Sequence, residues 1–157
     1  IFAVPRGTPP EREPIDVATI AAEASAAQGA DLVVAEVPEN WTVNSALVTT
    51  GDVRAWTVVY VPADTSYLRI AQGLGADENW PARELGRTAS TESIMIDGIE
   101  WDVYRPSDSR AAGNVTYGLA TTAGADIVMV YGTADAETAA EAAASLSEQI
   151  RDLREQK

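Results

Sequence analysis

The spacing of apolar positions changes several times along this chain, and each change marks an element. Apolar residues fall at Val17, Ile20, Ala21, Ala24 and Ala27, the three-and-four spacing of one helical face. Asp16 stands where an N-cap belongs and Gly29 where a left-handed C-cap does, so a helix is predicted between them. Its small alanine face implies close packing on a sheet. Leu32 to Val37 is a short apolar run ended by Pro38. From there the period becomes two. Thr42 to Thr49 reads as a strand, the Thr50-Gly51-Asp52 turn reverses it, and Val53 to Val61 and Tyr67 to Leu74 follow as strands. Asp77-Glu78-Asn79 offers caps for a short helix with Pro81 in its first turn, ending at Gly86.

The second half repeats this scheme. Ile94 to Ile96 and Ile99 to Tyr104 flank Asp97-Gly98, the clearest hairpin turn in the chain. Ile99, Trp101 and Val103 share one face of the return strand, while Glu100, Asp102 and Tyr104 share a face read as wet. Val115 to Thr122 and Asp126 to Thr133 form another hairpin across Ala123-Gly124-Ala125. Ile127 to Tyr131 is apolar at every position, which places this strand at the centre, covered on both faces. Asp135 caps one final helix whose stripe is Ala139, Ala143, Leu146, Ile150 and Leu153, with Glu137 near its start and Arg151, Arg154 and Lys157 complementing the dipole at its end.

There are too few helices and too many hairpins for an alternating parallel protein. The pattern predicts an α+β fold, an antiparallel sheet of about six or seven strands flanked by helices. Segments 57–78 and 115–137 share the order strand, turn, strand, Gly, acidic cap, helix. That order is either an internal duplication or the form any hairpin-plus-helix unit takes.

Composition narrows the chemistry. The 157 residues suit a single domain, taken as 15–157. Residues 1–14 hold four of the eight prolines and read as an extended linker, as would follow a removed membrane anchor. With no histidine and no cysteine, the chain has no Ser-His-Asp triad, no cysteine nucleophile, no thiolate zinc site and no CxxC pair. No cofactor is implied. A net charge of −13 argues against nucleic acid and against docking on anionic lipid through a basic patch. Heavy alanine, with ten arginines beside the lone Lys157, matches the codon usage of a GC-rich bacterial genome.

Two acid groupings come into question for carboxylate chemistry: Glu36 with Glu39, and Asp97 with Glu100 and Asp102. A chain with 24 acids always offers such groupings, and solvated acids are the plain alternative. Nothing matches a calcium-binding loop, and Gly73-Leu74-Gly75 lacks the continuation of a phosphate loop. The tryptophans say more. Trp56 and Trp101 alternate with aliphatic residues and read as core. Trp41 and Trp80 stand where loops enter a strand and a helix, so partial exposure is expected of both. With Asn44, Ser45, Tyr67 and Gln72 as polar lining, they define a candidate ligand or partner surface, the alternative being packing at the core's edge.

In order, Pro38-Glu39-Asn40-Trp41, Asn44-Ser45-Ala46, Trp56, Tyr67-Leu68, Gln72-Gly73, Trp80, Asp97-Gly98-Ile99-Glu100-Trp101, Tyr117-Gly118-Leu119 and Tyr131-Gly132-Thr133-Ala134 resemble the actinobacterial domain of unknown function 4245. The likeness covers about residues 14–150, and Asn40 departs from it where the family usually has glycine. The resemblance implies a small cell-envelope protein, with one N-terminal membrane helix and its domain on the extracytoplasmic side. It carries no catalytic residues. It also implies a layout similar to the PsbP/Mog1-like fold, whose members are often accessory or binding proteins.

These readings lead to an expectation. The chain is a non-enzymatic, membrane-anchored domain that binds an envelope protein or a lipid or glycan ligand. The alternatives are a carboxylate-dependent hydrolase of envelope glycan and a purely structural module.

Overall fold

A computed structural model describes residues 15–63, 66–108, 110 and 112–156. The linker assigned to residues 1–14 and the dipole role of Lys157 lie outside them. The element order is α1 (Val17–Gln28), β1 (Thr42–Thr49), β2 (Ala55–Ala63), β3 (Ser66–Gly73), α2 (Trp80–Glu84), β4 (Glu92–Ile96), β5 (Ile99–Tyr104), β6 (Tyr117–Ala123), β7 (Asp126–Gly132), α3 (Ala136–Ser145) and α4 (Ser147–Glu155). The class is α+β. All seven strands form one antiparallel sheet in the order β1-β2-β3-β7-β6-β5-β4. Two meanders therefore meet where β3 pairs with β7. As its unbroken apolar run requires, β7 is the central strand, and Ile127 to Tyr131 are all buried.

Local signals fix the helix ends. The Asp16 carboxylate accepts from the Thr19 amide at 3.1 Å, and Gly29 closes α1 at φ 65°. Asp135 caps α3 in the same way through the Thr138 amide, at 2.8 Å. Asp97 and Gly98 turn the β4–β5 hairpin with φ of 49° and 80°, the left-handed pair a two-residue turn demands. The expected single C-terminal helix is instead two, broken at Leu146. The Ser145 hydroxyl donates to the Ala142 carbonyl at 2.7 Å and accepts from the Glu36 amide at 3.0 Å, which diverts the chain from a regular helix there. The apolar stripe survives the break: Ala139, Ala143, Leu146, Ile150 and Leu153 are all buried.

The sheet's first face carries the larger core. Trp56, Tyr60, Leu68, Ile70, Trp101 and Val130 are buried there with α1, α3 and α4. Between α1 and β1 the chain runs extended over this face without joining the sheet. Side chains satisfy its backbone instead. The amides of Leu32, Val33, Val34 and Glu36 donate to Ser25, Gln72, Gln149 and Ser145, respectively. The Trp56 indole donates to the Val33 carbonyl at 2.8 Å.

The second face carries a smaller core under α2 and the segment before β6, where Trp80, Leu85, Tyr104, Val115, Met129 and Tyr131 meet. Tyr104 is thus buried, although Glu100 and Asp102 on the same strand face are exposed as read from the sequence. The two hairpin-plus-helix segments also part company here. α2 lies on the second face and α3 on the first. A two-fold relating β3 to β7 would put both helices on one side, so the shared order is not a symmetric duplication.

Candidate functional site

On the second face, α2 covers only part of the sheet. Beside it, the exposed faces of β1, β2 and β3 leave a groove of about 330 Å³. Its floor is Thr57, Val59, Arg69 and Ala71, and its walls include Leu47 from the edge strand and Trp80 from α2. Leu47 is 47% exposed, uncommon for a residue of its size and apolarity. A bulge in β1 between Val43 and Ser45 re-phases the strand. It lets Val43 and Ala46 pack on the first-face core while Ser45 lines the groove on the other side.

Arg69 is the chemical centre of this groove. Its cross-strand partners are Val59 and Tyr131. The guanidinium lies over two aromatic rings, 5.8 Å from the Tyr67 centroid and 5.6 Å from that of Tyr131. Its Nε–H is buried with no hydrogen-bond acceptor, and among the described residues no carboxylate lies within ion-pair distance. Burial opposes the charge, but Tyr131, which also hydrogen-bonds the guanidinium, together with Tyr67 and Glu84 outweighs it and raises the pKa, so the group stays a cation. Burial likewise raises the Tyr131 phenol and keeps it neutral near pH 7.

The rim is polar and tied down. Arg83 of α2 binds Asp77 with two N–H groups, each at 2.8 Å, and reaches Asp52 of the β1–β2 turn at 2.6 Å. This clamp joins α2 to the edge hairpin across one end of the groove. The hydrogen bonds from Arg83 hold Asp77 down to about 2. The other acids with displaced values, Asp16 and Asp135, are also lowered, each chiefly by its bond to a threonine side chain. Glu36, Glu39, Asp97, Glu100 and Asp102 are all exposed. Among the described residues, no group of three or more acidic side chains is placed to hold a metal ion.

Of the six residues proposed from sequence, the structure brings together three. Ser45 and Trp80 line the groove, and Tyr67 supports Arg69 from one side while its hydroxyl donates to the Gly113 carbonyl at 3.0 Å. The other three lie elsewhere. Trp41 is half-buried at the edge of the first-face core, edge-on to Tyr60 at 6.1 Å. Asn44 is the exposed residue at the bulge. Gln72 is wholly buried on the first face, its amide spent on the backbone of the 31–33 segment and on Asp126, so it is no surface lining. The expectation for Trp80 also needs correcting. It is 2% exposed, because its ring lies flat over Gly73: a Cβ there would sit 2.7 Å from the indole. Arg69, Thr57 and Tyr131 were not singled out from sequence. The available signal was a lone charge in the β3 run, between Leu68 and Ile70.

A family model described as a protein of unknown function, DUF4245, matches residues 1–146. The chain belongs to the DUF4245 family. The match takes in the whole sheet, the groove and nearly all of the first-face core. No curated protein and no solved structure matches the chain. Two glycines among the residues by which the sequence resembles DUF4245 have architectural work on the second face. Gly73 admits Trp80, and Gly118 admits Leu85 and Tyr131, with 3.0 and 3.2 Å left for a Cβ. Together they seat α2, and α2 forms one side of the groove.

Proposed function

We propose that this DUF4245 domain is a non-enzymatic binding module and that the second-face groove is where it takes a small organic ligand. The observation that carries this reading is Arg69: a cation held on two rings in an open groove, with no carboxylate within ion-pair distance among the described residues. A guanidinium without an ion-pair partner favours an anionic acceptor. The candidate acids Glu36, Glu39, Asp97, Glu100 and Asp102 are exposed and none of them lines the groove, which supports binding over carboxylate-based hydrolysis. From the family resemblance we also propose an extracytoplasmic location behind a membrane helix, and a PsbP/Mog1-like, accessory role in the envelope. No helix among the described residues is long and apolar enough to cross a membrane. Protease added to intact cells should remove the domain; complete protection would place it inside.

Amide-shift mapping with a set of small organic fragments tests the groove. Fragments that bind should move the amides of Thr57, Val59, Arg69 and Ala71. Thr57→Trp, a half-exposed floor position, should fill the groove and abolish those shifts without unfolding the sheet. Shifts that cluster elsewhere, or that persist in Thr57→Trp, would sink the assignment.

A further inference from the structure

We infer that the ligand of this groove presents a single carboxylate to Arg69 and lays a short apolar body along Leu47 and Val59. The inference rests on the proposed binding role and names the chemistry it would recognise. A guanidinium is a planar fork that matches a carboxylate with two parallel hydrogen bonds. Here the fork is already held in place by Tyr67 and Tyr131, so little side-chain freedom is lost on binding. With Nε–H sealed, an acceptor from the groove meets the terminal Nη edge, beside the hydroxyl of Tyr131 that already hydrogen-bonds the guanidinium.

The surroundings select the charge of that acceptor. Glu84 and Asp52 also line the groove, and the whole chain carries −13. Asp52 is engaged by Arg83, whereas Glu84 adds its field to Arg69 without an ion pair. One cation among these charges suits a monoanion. A phosphate dianion, which sites built to hold it meet with several cations or a row of backbone amides, would be repelled. The apolar walls select the rest. Leu47 and Val59 are β-strand side chains with open surface, and the Trp80 ring edge closes the side next to α2. A volume of about 330 Å³ suits a chain of several carbons.

The test uses matched probes on the 157-residue chain. Hexanoate and hexanamide have the same length and differ in charge, and inorganic phosphate supplies the dianion. Hexanoate should shift the Arg69 and Val59 amides with a Kd near or below about 10 mM, and hexanamide should bind roughly tenfold more weakly. Arg69→Met, which keeps the apolar stem, should erase the difference between the two. Arg69→Lys should keep part of it, since a point charge replaces the fork. Phosphate should move neither amide at the same concentration. Equal binding of hexanoate and hexanamide, or an unchanged preference in Arg69→Met, would overturn the carboxylate assignment while leaving a ligand groove in place. Phosphate binding more tightly than hexanoate would overturn the monoanion preference. If hexanoate fails while other fragments occupy the groove, the carboxylate inference falls alone; if no fragment occupies it, both readings fall.

Discussion

Replacing Gln72 by methionine should lower the stability of the domain by about 2–3 kcal/mol and its Tm by roughly 5–10 °C. Methionine fills nearly the same volume, so the loss reports hydrogen bonding and not a cavity. Gln72 is wholly buried. Its oxygen accepts from the Val33 amide at 2.8 Å, and its nitrogen donates to the Asp31 carbonyl at 3.0 Å and to Asp126 at 2.9 Å. Val33 is itself buried, and no strand lies beside it to take the released N–H. An unsatisfied buried donor costs far more than a hydrogen bond contributes when both partners have water as an alternative. Hydrogen exchange should show the loss locally, with the Val33 amide losing protection first. Gln149 makes the same paired contacts to Val34 at 2.8 Å but is only half-buried, so Gln149→Met should cost less.

Gln72→Glu gives the same site a pH dependence. The new carboxylate would face Asp126 in a buried position, so its folded-state pKa would rise above the ordinary value. A raised acid favours the fold when protonated, and stability falls as pH climbs through the unfolded and then the folded value. Denaturation of Gln72→Glu should therefore approach wild type near pH 4 and separate from it steadily towards pH 7. Parallel pH profiles for the two proteins would contradict this account of the site.

The second large effect is at Gly73 and Trp80. Trp80→Ala should cost about 3–5 kcal/mol, because it empties a fully enclosed indole site on the second face. Gly73→Ala should cost about 1–3 kcal/mol, because its methyl would stand 2.7–2.9 Å from three ring carbons of Trp80. The two costs must not add. Once the indole is gone, the methyl enters vacant space, and Gly73→Ala in the Trp80→Ala background should be near neutral or favourable. Additive costs in urea denaturation would mean that the glycine serves strand geometry instead. Trp80→Ala should also remove the groove wall, so fragment binding would weaken even under conditions where the sheet stays folded.

These positions separate what was legible in the residues from what was not. Helix caps at Asp16, Gly29 and Asp135, the Asp97-Gly98 turn, and the central place of the 127–131 run are local signals, and the structure bears each of them out. β1 begins and ends where its alternation does. Gln72 and Trp80 were rightly singled out as unusual but wrongly placed at a surface. A polar amide on a strand and a tryptophan at a helix start look the same in sequence whether they meet solvent or the distant 31–33 backbone. Arg69 shows the reverse. Alternation already put it on one face with Tyr67 and Ala71, opposite Leu68 and Ile70, but which face stayed open depended on where α2 came to rest.

The sequence by itself determined the elements apart from the break at Leu146, their antiparallel connection, the central strand, the family, and the absence of histidine and cysteine chemistry. These follow from periods, caps and composition, which act over a few residues or none. Only the tertiary structure decided that α2 and α3 take opposite faces, that side chains from five elements hold the 31–36 segment, and that Arg69 is left in an open groove. Each depends on pairs far apart in the chain, such as Gln72 with Val33 or Arg69 with Tyr131, and no local pattern fixes which distant partner a side chain will meet.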